Sequence, residues 1–491
     1  AAAPAGAPTA PEKEQRQPAV WHVVGVQFLY VFAVAVSIPA YPYIWTYTDL
    51  AKGDQVRGGS LHSLATSINA GCELLSASLL GMLSDHTGRR PFMLTACLGQ
   101  ALDLFIAALA AKDRPDYFLS IGSGYTWMFA ARCISGLAGS FLVFAKAAVG
   151  DVSRPETSAR NFAWLIATFG MGFVLGPGVG ALLSRNQLQL PMIVSSGIML
   201  IAAVGILLMR EPLLPQNRAI LDWRKMNPLG ALQFLWTTPF LIVFAAMSFL
   251  DQFALVLLQT IILQYCTAVF GVGRGIVTAL LVVFGVGQGV AYALVLRPIV
   301  RKYGEITAVE AGYVLTCLAF ALLAVISYIG VFWPMFLVMA LLAVGAISNP
   351  AESALASCHV DRSEQGRLQA ANGCLDVLGK ITGSLGVFAI FEPSARAGQP
   401  GLVWWFACLV MVPGVVLAFR LKRVLPQHRY GNSKPNGGGE EDWERGDNEL
   451  GDGVVPGGGP EAAPASGKAP AAAKTAPALR ARCCLWALGC Q

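Results

Sequence analysis

The chain has 491 residues, 55% hydrophobic and 13% charged, with net charge +6 and mean hydropathy +0.57. A soluble domain carries roughly 25% charged residues, so this chain cannot cover itself with polar surface and its solvent is largely lipid. The small net charge, with no basic block interleaved with aromatics, excludes a nucleic-acid surface.

Residues 1–20 are Ala, Pro and charge and are expected to be a disordered N-terminal tail. The opening Ala1-Ala-Ala-Pro4, with no methionine, reads as a processed or partial sequence. About twelve apolar stretches follow, each near the ~20 residues that a spanning helix needs. The pattern predicts helices at 21–45, 61–83, 91–111, 124–148, 160–184, 190–209, 238–266, 275–296, 306–329, 331–355, 367–390 and 401–421. The expected architecture is an all-α membrane protein with twelve transmembrane helices. They group as an N-terminal bundle at 21–210, a central linker at 211–237 and a C-terminal bundle at 238–425. Residues 426–491, rich in Gly, Asp/Glu, Ala and Pro, are expected to be a disordered tail. The eleven cysteines lie mostly singly in apolar runs with no CxxC pair, so neither a metal site nor a disulfide framework is indicated.

Between the second and third stretches the chain reads Gly81-Met-Leu-Ser-Asp85-His-Thr-Gly88-Arg89-Arg90-Pro91. Gly81 is expected to let the flanking helices approach closely, and Gly88 to allow the tight turn. Asp85 suits a helix N-terminus of the other bundle, acting as a latch. Arg89 and Arg90 are expected at the lipid surface.

Arg132 sits inside the fourth stretch, where an arginine needs partners; it reads either as a coupling residue or as half of a structural ion pair. The fifth stretch holds Gly170-Met-Gly172-Phe-Val-Leu-Gly176-Pro177-Gly178-Val-Gly180. Gly172, Gly176 and Gly180 share one face and permit close helix contact, while Pro177 removes a backbone donor. Further ionisable residues at membrane depth are Glu73, Asp103, Asp251, Glu310 and the pair Asp376/Lys380. The last two are four residues apart and are read as an intrahelical pair; Asp103 is read as structurally paired.

The two halves repeat: Arg160 precedes Gly176 by sixteen residues, as Arg367 precedes Gly383. After the eighth stretch, Arg297-Pro-Ile-Val-Arg301-Lys-Tyr-Gly304 echoes the loop at 81–91. Two pseudo-symmetric six-helix bundles produce this. Lys and Arg favour the exits of even-numbered stretches, which places both termini in the cytoplasm.

The loop at 81–91 resembles the G-x-x-x-D-x-x-G-R-[RK] loop of the major facilitator superfamily. The fifth stretch resembles the G-x-x-x-G-P-x-x-G string of drug:proton antiporters, and Arg132 resembles an arginine of the same group. Asp151-Val-Ser-Arg154-Pro-Glu156 and Asp361-Arg362-Ser-Glu364-Gln-Gly-Arg367 resemble the tetracycline-efflux-like branch, including hippocampus-abundant-transcript-like proteins. The resemblance covers roughly residues 21–425 and implies the major facilitator fold with alternating access.

In that fold the first, fourth, seventh and tenth helices line the cavity. Asp251, beside Gln252 in the seventh, is therefore the first candidate proton carrier, and Glu73 the second, with Arg132 sensing charge. Tyr30, Tyr41 and Gln252 are candidate substrate-cavity residues, with Phe32, Tyr43 and Trp45 alongside; Tyr43 and Trp45 read equally as interfacial anchors. One departure stands out: the branch typically has an acid in the first helix, where this chain has Tyr30, and a phenol is a poor proton carrier at neutral pH. The reading is a monomeric secondary transporter of a small organic solute, by proton-coupled antiport. It is not an enzyme and needs no cofactor or metal. Proton symport or facilitated import of a nutrient, and a non-transporting membrane sensor, remain the alternatives.

Overall fold

A computed structural model describes residues 18–424, apart from Asp49, 111–123, 154–156, Asn186, 219–229 and 361–363. The expected tails, and the stretches holding Arg154, Glu156, Asp361 and Arg362, lie outside the described residues.

The described residues are almost wholly helical. The first half comprises α1 (Val20–Ser37), α2 (Tyr41–Thr46), α3 (Gln55–Thr87), α4 (Arg90–Ala110), α5 (Gly124–Leu137), α6 (Phe141–Val152), α7 (Ser158–Ser184) and α8 (Leu190–Leu208). The second comprises α9 (Pro239–Phe270), α10 (Arg274–Val290), α11 (Arg297–Tyr303), α12 (Glu305–Ile329), α13 (Pro334–Gly345), α14 (Ser348–His359), α15 (Gln365–Arg396) and α16 (Leu402–Val424). Among the described residues, eleven stretches of helix are long and apolar enough to cross a membrane. α3, 33 residues long, occupies the place of the second expected span but is too polar to count among them. Its environment explains this: α5, α9 and α15 pack around it, so its polar residues meet protein.

Three expected spans are broken. The first divides at Ile38–Ala40, beside Pro39 and Pro42; the fourth divides between Leu137 and Phe141; the tenth divides at Ala346–Ile347. The eighth continues past its expected end, through a π-wound stretch at Ala291–Leu296 into α11. Such irregular backbone is tolerated at membrane depth only where protein or a cavity surrounds it.

Within the first bundle α1 packs on α7 and α8, α4 on α8, and α3 on α5; within the second α9 packs on α15, and α12 on α13 and α16. Leu208, Leu337 and Leu409, 68–81% exposed, belong to the apolar outer surface that faces lipid.

We call the end bearing the α3–α4 turn, the start of α1 and the end of α16 the terminal face, and the end bearing α2 the far face. α3 and α15 run antiparallel across the seam between bundles. From the far face inward they are joined by Arg396 with Asp54 (3.5 Å), Ser67 Oγ donating to the Ile381 carbonyl (3.1 Å), and Lys380 with Glu73 (3.6 Å). Tyr43 of α2 adds a hydrogen bond to the Leu263 carbonyl (3.1 Å), and Gln264 donates to the Pro42 carbonyl (2.5 Å). These links close the far half of the seam.

Candidate functional site

The turn at the terminal face is built from Gly88, whose φ of +130° lies in the region glycine favours. Glu211, from the linker, fills the space where a Cβ would sit, 2.7 Å away. Its carboxylate accepts the backbone N–H groups of Arg89 (2.5 Å) and Arg90 (3.1 Å) at the start of α4, satisfying free donors of a helix N-terminus.

Asp85 does not reach a helix of the other bundle. It pairs with Arg89, four residues on, because the helix itself brings them together. Arg89 also donates from Nε to Asp151 (2.8 Å) at the end of α6 and from a terminal guanidinium nitrogen to Ser84 Oγ (3.1 Å). Arg90 donates to the Ile206 carbonyl (3.0 Å) and to that of Leu207, closing the C-terminus of α8. Both arginines are thus structural clasps rather than lipid anchors. Gly81 has nothing within 4 Å of an added Cβ, so it does not bring helices together. Gly136 on α5 does that for α3, its missing Cβ lying 2.4 Å from the Asn69 carbonyl oxygen.

The fifth-span glycines do share a face. A Cβ on Gly172 would stand 2.7 Å from Val31, on Gly176 2.3 Å from Ala35, and on Gly180 2.1 Å from the Val36 carbonyl oxygen. They seat α7 on α1 within the first bundle, and α7 runs unbroken through Pro177.

Arg132 lies in a buried network, although its Nε has no hydrogen-bond partner among the described residues. Its guanidinium is 3.3 Å from Asp103, a residue with no exposed side-chain surface, and stacks over the Tyr41 ring at 4.2 Å. Tyr41 donates to Asp103 (2.9 Å), as does Gln100 (3.2 Å). An arginine at membrane depth is compensated in this way. Tyr41, expected to line the cavity, is instead sealed inside the first bundle, against the ring of His62. Tyr30 stacks on Phe141 at 4.4 Å, joining α1 to α6. Tyr43 and Trp45 are buried rather than interfacial.

In the second bundle Asp251 accepts a hydrogen bond from Asn349 (3.4 Å), just past the break between α13 and α14. Gln252 lies against Gly379 of α15. One turn beyond Asn349, Glu352 accepts from Ser248 (2.7 Å) and from Tyr313 (3.0 Å) while 4% exposed. Sequence reasoning missed Glu352, although an acid two residues after Asn349-Pro350 in an apolar run was the available signal. Lys380 does not make its ion pair with Asp376; its partner is Glu73, across the seam.

The described residues thus form two bundles, with a helix seam linked at one end and carboxylates at membrane depth in both. The sequence profile described as Major Facilitator Superfamily matches residues 23–384. The chain belongs to that superfamily. Among its major facilitator relatives, the class C tetracycline resistance protein of Escherichia coli is 31% identical over 78% of this chain and 91% of its own length. Hippocampus abundant transcript-like protein 1 of Bos taurus is 24% identical over 82% of this chain and 78% of its own. The human organic anion transporter MFSD10 (TETRAN) has a similar fold, with TM-score 0.60 at 20% identity, covering 82% of this chain and 100% of that one. A D-xylose-proton symporter superposes with TM-score 0.65 at 14% identity, covering 83% and 98%. The chain is therefore an integral multi-pass membrane protein of the tetracycline-efflux-like branch, and a transporter of small molecules.

Proposed function

We propose that this protein is a proton-coupled exporter of a small organic solute, working as a monomer by alternating access of its two bundles. Asp251 carries the reading. It is a carboxylate at membrane depth with no cation in ion-pair contact among the described residues, and its hydrogen-bond partner stands at a broken helix. An uncompensated carboxylate there is costly, and taking up a proton relieves the cost. Solute and proton then compete to neutralise the same pathway, which is the basis of exchange. Similarity to the tetracycline resistance proteins supports efflux as the direction.

Arg89, Arg90, Arg297, Arg301, Lys302, Lys422 and Arg423 crowd the terminal face, against Lys52, Arg57, Arg185 and Arg396 at the far face. By the positive-inside rule the terminal face is cytoplasmic. The links at the far face support reading this conformation as open to the cytoplasm. Tyr30, in the place of an acid, favours a second reading: facilitated transport without a coupled proton.

The test uses proteoliposomes with a trapped pH-sensitive dye and tetracycline as the first solute. Antiport moves protons opposite to the drug. Drug entry with no accompanying proton movement would remove the antiport reading.

A further inference from the structure

α15 carries a polar line at membrane depth: Asn372, Asp376 and Lys380, four residues apart and on one face. Lys380 stands at the midpoint of this 32-residue helix, and its side chain is 40% exposed. An ammonium group turned to lipid at that depth is strongly disfavoured. Its partner, Glu73, belongs to the other bundle, so Lys380 faces the boundary between bundles.

The contact is loose. Nζ of Lys380 and the Glu73 carboxylate are 3.6 Å apart, and among the described residues neither group makes a hydrogen bond. Two other polar contacts are tighter: Arg89 to Asp151 is 2.8 Å, and Ser248 to Glu352 is 2.7 Å. Lys380 and Glu73 therefore hold unused donors and acceptors at the wall of the pathway. They also mark the inner end of the run of links that closes the far face.

Resting on the exporter reading only for the direction of movement, we propose that Glu73 and Lys380 form the recognition site for a zwitterionic organic solute. Its anionic group takes Lys380 and its cationic group takes Glu73. Charge balance selects this class. A simple anion on Lys380 strands the Glu73 carboxylate, and a simple cation on Glu73 strands the ammonium; each leaves a bare charge in a poorly solvated gap. A zwitterion replaces both partners and leaves the sum of charges unchanged. Asp376 and Lys146 of α6, electrostatic neighbours from opposite bundles, add one charge of each sign and so leave the balance at Glu73 and Lys380 unchanged. The proton then remains with Asp251, and the solute opens the innermost link as it binds.

The test is equilibrium binding to the purified full chain in nanodiscs, read by probe fluorescence. The probes share one scaffold: Nε-dansyl-lysine as the zwitterion, its α-amide as the cation and its Nα-acetyl derivative as the anion. The zwitterion is expected to bind at least about tenfold tighter than either of the others. Lys380→Gln shifts the ranking toward the cation, and Glu73→Gln toward the anion. The exchanged variant Glu73→Lys/Lys380→Glu regains the zwitterion preference and separates charge recognition from a folding defect. Equal affinities, no binding of any probe, or a ranking unmoved in monodisperse variants would overturn the proposal. Because binding is measured without flux, loss of proton coupling in the transport assay would leave this result standing, and the reverse holds too.

Discussion

Nε of Arg89 lies 2.8 Å from Oδ2 of Asp151, which ties the turn between α3 and α4 to the end of α6. Asp85 completes the cluster from one turn earlier on α3. Burial works against the Arg89 charge, but Asp151 and Asp85 more than offset it, so its pKa is raised above the ordinary arginine value. Arg89→Gln is expected to lower stability by about 1–3 kcal/mol. Most of that loss comes through Asp151, because Asp85 is half exposed and screened. A raised pKa contributes stability that is fully present below the unfolded value and is lost only as pH rises through the folded one. The Arg89 charge itself thus gives no slope from about pH 6 to pH 9. Thermal unfolding of parent and variant across that range checks both statements.

The glycine stripe of α7 makes a sharper prediction, since a neighbouring glycine serves as its control. Gly176→Ala and Gly180→Ala push α7 away from α1 and should each cost about 1–3 kcal/mol. Gly178 has nothing within 4 Å of an added Cβ, so Gly178→Ala should be neutral or slightly stabilising. Equal melting temperatures for all three would show that the stripe does not seat α7.

Glu352 holds α9, α12 and α14 together through Ser248 and Tyr313. Tyr313→Phe and Ser248→Ala are each expected to cost about 0.6–1.7 kcal/mol, the range for hydrogen bonds between membrane helices. In a Glu352→Gln background the same changes should cost less, because the partners act as one network. Strict additivity in a double-mutant cycle would contradict this.

At the far face, Tyr43 and Gln264 tie α2 to α9. Removing both bonds with Tyr43→Phe and Gln264→Ala should raise the population open at that face. Spin labels at the exposed positions Lys52 and Gln399 read it directly. A longer distance component is expected in the double variant; an unchanged distribution would mean that other contacts hold the gate.

What was legible in the sequence was local or periodic. Gly88 follows from its place in a tight turn, and Gly172, Gly176 and Gly180 from helical period. Twelve apolar stretches carried the fold, because lipid demands continuous helices. The missing information was tertiary. Asp376 and Lys380 satisfy the i,i+4 rule, yet Lys380 finds Glu73, which lies far away along the chain. Arg132 gave no sign that Asp103 and Tyr41 would enclose it. Gly81 occupies a familiar position in its loop without a neighbouring helix close enough to need a glycine.

The central claim, that Asp251 couples a proton to solute movement, is tested most directly by tetracycline flux in proteoliposomes under an imposed pH gradient, with Asp251→Asn run beside the parent. The account predicts accumulation that follows the gradient in the parent and collapses in the variant, with downhill exchange retained. Equal gradient-driven accumulation in both proteins would contradict it.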